Sequence, residues 1–88
     1  MKYVYLYTRS ILKSDRYITM GTRVYTSAEK AEAEIKSFCK AINAHNLEFD
    51  RVDFGRDDLY EDTFTFDSIT EQDGLNKYRI TVTKTELL

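Results

Sequence analysis

Eighty-eight residues, 42% apolar and 32% charged, fit one ordinary globular domain, too short for two cores and too apolar for a disordered chain. No apolar run approaches the roughly 18 residues of a membrane helix, and a single cysteine excludes both an internal disulfide framework and a cysteine-based zinc site. The net charge of −2 conceals a segregation: residues 1–46 carry eight Lys/Arg against four Asp/Glu, residues 47–73 two against ten, and residues 74–88 three against one.

Such an asymmetry bears on partners rather than on fold. With no proline and only three glycines, turns fall to Asp, Asn and Ser, and the twelve Tyr and Phe are many for so small a chain. Met1-Lys2 is followed by the alternating Tyr3-Val4-Tyr5-Leu6-Tyr7 rather than by an apolar block with a cleavage site, so a cytoplasmic, membrane-free protein is expected.

Tyr3 to Thr8 alternates with a period of two and predicts a strand, Val4 and Leu6 on one face and Tyr3, Tyr5 and Tyr7 on the other. Arg9 to Asp15 reads as a loop. A second strand follows from Arg16 to Tyr25, with Ile18, Met20 and Val24 on one face. Gly21 marks a bulge or a close backbone contact.

The helix is the clearest element. Thr26 and Glu29 have capping-box spacing, and Ala28, Ala31, Ile35, Phe38, Cys39 and Ile42 form one apolar stripe. Asn43 or Asn46 can end it in a left-handed conformation.

Residues 47–59 fit a bulged strand, a helical turn or an ordered loop, because Leu47 and Phe49 fall on one parity and Val52 and Phe54 on the other. Gly55 to Asp58 is expected to turn. Tyr60 to Asp67 is a strand, Glu71-Gln72-Asp73-Gly74 a turn with a hairpin signal, and Lys77 to Glu86 the last strand. The order β-β-α-(β)-β-β over residues 1–88 predicts a single α+β domain. It is a two-layer sandwich in which one amphipathic helix covers a mainly antiparallel sheet of four to five strands.

No catalytic motif stands out. Cys39 lies in the apolar stripe near the helix C-terminus, where the helix dipole disfavours a thiolate, and His45 follows the helix end. One histidine is too few for a transition-metal site. The carboxylates place Asp50, Gly55 and Glu61 at the first, sixth and twelfth positions of a calcium loop, but Val52 and Phe54 offer no side-chain oxygen at the third and fifth. No cofactor, no metal and no catalysis are therefore expected.

Two surfaces remain. The acidic segment 48–73, with Asp50, Asp53, Asp57, Asp58, Glu61 and Asp62, can act as an electrostatic lure for a basic partner, its carboxylates standing in for phosphates. The sheet face opposite the helix is expected to display Tyr3, Tyr5, Tyr7, Tyr17, Arg23 and Arg79, a platform for a homodimer or for stacking on single-stranded nucleic acid. The leading expectation is a non-catalytic interaction module, an accessory or inhibitor protein of phage or mobile-element type that docks its acidic segment on a basic protein surface. The alternative is a single-stranded nucleic-acid binder.

Overall fold

The computed structural model describes residues 2–55, 59–72 and 74–87. It is an α+β fold: five antiparallel strands and one helix, in the order β1 (Tyr3–Lys13), β2 (Arg16–Tyr25), α1 (Ala28–Ala41), β3 (His45–Asp53), β4 (Tyr60–Thr70) and β5 (Gly74–Glu86). The sheet order is β2-β1-β5-β4-β3, so the helix carries the chain from one edge strand to the other. Every neighbouring pair is antiparallel.

The first hairpin is longer than expected. Residues 9–13 are strand rather than loop, and the reversal is made by Ser14 and Asp15 alone, at φ +48° and +71°. Two consecutive left-handed residues match the twist of the flanking strands. Ser-Asp does this less readily than Asn-Gly, which is why the turn is poorly marked in the sequence. In β2 the expected bulge is present: Arg9 pairs with Gly21, but Ser10 pairs with Thr19, leaving Met20 as the extra residue. The bulge reverses parity along the strand. Ile18 therefore faces the helix side and Val24 the opposite side, where strict alternation would have put them together.

The helix N-cap is Ser27, not Thr26: its side chain accepts from the Lys30 amide at 3.3 Å, and its backbone is extended. At the other end Asn43 turns left-handed at φ +53°, and the Ala44 amide donates to the Cys39 carbonyl. Ser68 on β4 then donates to the Ile42 carbonyl at 2.6 Å, pinning the helix end to the sheet.

Ala31 and Ile35 pack on Tyr7, Phe66, Tyr78, Ile80 and Val82. Phe38 meets Phe66 and Tyr78 edge-on at 6.0 and 5.5 Å, and the Arg9 guanidinium covers its ring at 4.2 Å. The helix begins near Tyr5 and Tyr60 and ends over Ser68, so it runs along the central strands. A helix about 10 Å wide covers two to three strands spaced about 4.8 Å apart. The edge strand β3 lies largely outside its footprint, and all nine of its residues are exposed.

Candidate interaction surface

Cross-strand pairing assigns each side chain to a face, since directly paired residues point the same way. The uncovered face is ordered in rows. Thr22, Thr8, Thr81, Thr63 and Asp50 cross all five strands in one row; Val24, Leu6, Thr83, Glu61 and Val52 form the next; Thr19, Ser10, Arg79, Thr65 and Glu48 lie on the other side. The face therefore grades from apolar at the β1/β2 corner, through a threonine centre, to acidic at the β3/β4 margin. Glu48, Asp50 and Glu61 are gathered there from strands that pair side by side, and Glu61 accepts from the Thr83 hydroxyl at 3.0 Å.

The other carboxylates of the acidic segment divide differently. Asp53 pairs with Tyr60 and Asp62 with Val82, on the helix side of the sheet. Asp62 is only 8% exposed and takes a two-point contact from Arg51, Nε to Oδ1 at 2.5 Å and Nη2 to Oδ2 at 2.8 Å. Those bonds hold the Arg51 pKa well above its ordinary value, and the guanidinium lies 4.0 Å over the Tyr60 ring. The expectation that Asp62 faces a partner is thus corrected: its charge is spent inside the fold. Asp57 and Asp58, expected in the acidic lure, lie outside the described residues.

The tyrosine platform is also corrected. Tyr7 is 2% exposed beneath the helix and meets Tyr25 edge-on at 5.8 Å. Tyr3 and Tyr5 share its parity and side, and Arg23 pairs with Tyr7 there. Only Tyr17 and Arg79 are on the uncovered face, and the Arg79 guanidinium already lies 3.9 Å over the Tyr17 ring. The motive for a tyrosine-mediated homodimer or base-stacking surface goes with this reversal. Hydropathy could not decide it, because a Tyr-Val-Tyr-Leu-Tyr strand is apolar on both faces. The small Ala28 and Ala31 on the helix leave the depth that large rings fill.

Of the three conformations open to residues 47–59, the structure takes the strand, β3, with a register shift near its start; what the sequence did not reveal is how exposed its apolar side chains are. Leu47, Phe49 and Val52 on this strand, and Phe54 just beyond it, are each about half exposed or more, and on the helix side Leu47 lines an open groove of about 310 Å³ with Glu32, Ile35, Lys36 and Phe64. Phe49 rests on Phe64 with ring centres 5.0 Å apart. The signal was the broken parity of residues 47–54: pairing runs unbroken from Glu48 to Asp53, so Phe49 lies on the helix side and Val52 on the uncovered face, while Phe54 lies past the strand's end at Asp53.

Cys39 is half-buried against the core, and burial raises its thiol pKa. His45 is exposed at the start of β3. Among the described residues no group of three or more His, Cys, Asp or Glu is arranged to hold a metal ion, and no helix is long and apolar enough to cross a membrane. Comparison with protein-family models, with curated proteins and with solved structures returns no match to this chain.

Proposed function

We propose that this protein is a non-catalytic interaction module that engages a basic partner protein through the acidic β3/β4 margin of its sheet. The observation that carries this reading is the outer strand β3, fully exposed, whose carboxylates Glu48 and Asp50 join Glu61 of β4 on one uncovered face while Asp53 projects on the other. Clustered like charge attracts an oppositely charged surface and selects against wrong partners.

In its sharper form the margin occupies a nucleic-acid-binding surface, carboxylates taking the place of phosphates, as an accessory or inhibitor protein of phage or mobile-element type would do. The one cysteine packs against the core with its thiol pKa raised by burial, which suits a structural role better than a nucleophilic one. A lone cysteine also suits a reducing cytoplasm.

The test is affinity capture on immobilised protein, followed by titration of the purified partner. Wild type is compared with Glu48→Gln/Asp50→Asn/Asp53→Asn/Glu61→Gln across a salt series. Capture should weaken as salt rises, and the quadruple variant should lose at least about tenfold in affinity, in keeping with a few interfacial charge contacts. A partner held equally well by the variant and at high salt would overturn the acidic-margin reading.

A further inference from the structure

We infer that the outer edge of β3 is a docking site for an extended segment of a partner protein in which basic and large apolar residues alternate. The segment would add a sixth strand to the sheet. This inference rests on the acidic-margin reading above and names the form the partner takes.

Three observations meet at this edge. First, β3 is the last strand of the sheet, and no described strand pairs with its outer side, so its outward amide and carbonyl groups are a template for another chain. Second, its two faces ask for different side chains. On the uncovered face Glu48 and Asp50 stand two residues apart, the spacing at which successive side chains of an added strand point to the same side. On the helix side lie Leu47, Phe49 and the groove walled by Ile35 and Phe64. A strand laid here meets acid, apolar surface and acid in turn, and its complement is basic, apolar, basic.

Third, the edge is built against pairing with itself. An antiparallel two-fold pairing must match residues of like parity. Centred on Phe49 it opposes Glu48 to Asp50; centred on Asp50 or on Glu48 it opposes each to its own copy. Every register near the middle of the strand sets carboxylate against carboxylate, which is destabilising across a strand pair. The same charges favour a cationic strand. The other edge, β2, does not match this: it carries Arg16 and Arg23 with no acidic residue, and its Met20 bulge interrupts the ladder.

The probe is a fluorescein-labelled heptapeptide, Thr-Lys-Phe-Lys-Ile-Lys-Thr, titrated by anisotropy against the intact protein at low salt. Three comparison peptides accompany it: a scramble with its lysines contiguous, and two analogues N-methylated at alternate residues, one for each of the two possible ladder registers. The alternating peptide should bind at least about tenfold more tightly than the scramble. One methylated analogue should lose about tenfold while the other binds nearly as well, because only one set of amides enters the ladder. The Glu48→Lys/Asp50→Lys variant should reject the lysine peptide and accept its glutamate counterpart, Thr-Glu-Phe-Glu-Ile-Glu-Thr; that acceptance shows the variant folded.

Equal binding of the alternating and scrambled peptides, or indifference to both methylations, overturns the strand-addition site. So does absence of peptide binding when a captured partner remains salt-sensitive, and that result leaves the acidic-margin reading standing. A partner insensitive to salt and to the quadruple variant removes both.

Discussion

Asp62 and Asp50 are the same residue type twelve positions apart in one acidic segment, and the fold gives them opposite work. Asp50 faces the uncovered side of an exposed strand. Asp62, on the helix side of β4, would be a costly buried charge without the two guanidinium bonds from Arg51. Charge counting sees both alike. Pairing register separates them, and register is a non-local property that one strand's sequence does not contain.

Tyr7 makes the same point with a measurable consequence. Burial raises its pKa above the ordinary 10.0, against a smaller opposing effect of the Arg9 charge, and burial likewise raises that of Tyr60. Below the unfolded-state pKa both folded and unfolded chains keep these phenols protonated and nothing is lost. Above it the unfolded chain releases the protons first, so stability falls with rising pH until the folded-state pKa is passed. Urea midpoints measured between about pH 9 and about pH 11 should therefore decline, and the decline should be shallower in Tyr7→Phe. An identical slope in the variant would show that Tyr7 does not carry the effect.

Among the elements, α1 and the two terminal hairpins were legible because their signals are local: a 3.6-residue stripe with a capping residue, period-two alternation, and turn formers between the strands. The boundaries that shifted did so where two residues compete for one task. Thr26 and Ser27 both offer a capping hydroxyl, and Ser27 takes the role. Ser14 and Asp15 make a two-residue turn without glycine, so β1 and β2 extend further toward each other than the turn chemistry suggests. This reversal leaves room for improvement. Both residues sit at positive φ, where Asn and Gly are less strained, so Ser14→Asn/Asp15→Gly should stabilise the fold by about 0.5–1 kcal/mol. The check is the midpoint of reversible urea unfolding. A loss of stability would mean that the Ser14 or Asp15 side chain contributes more than its backbone strain costs.

At the scale of the whole molecule, a single helix on one side of a five-stranded sheet leaves both surfaces of interest open: the opposite face has no second layer, and the edge strand β3 lies beyond the helix's width. The uncovered face is tolerated because threonines, β-branched yet polar, shield the backbone while remaining wettable. The β3 edge is a sharper liability: four large apolar side chains at half exposure or more, residues 47–54, beside an open backbone ladder. Natural sheets manage such edges with charge, and here Glu48 and Asp50 oppose each other in the central self-pairing registers. If those carboxylates guard the edge, removing their charge should expose the liability without disturbing the core, since both are fully on the surface. The Glu48→Gln/Asp50→Asn variant should keep its folded circular dichroism and yet show a mass that rises with concentration in light scattering, more steeply than wild type. Added salt should push wild type in the same direction, because screening weakens the same repulsion. Replacing Arg16 and Arg23 at the opposite edge offers the control: neither faces a like charge in β3 self-pairing, so their neutralisation should leave the mass unchanged. A double variant no more associative than wild type would show that the carboxylates are not what keeps the β3 edge open for another chain.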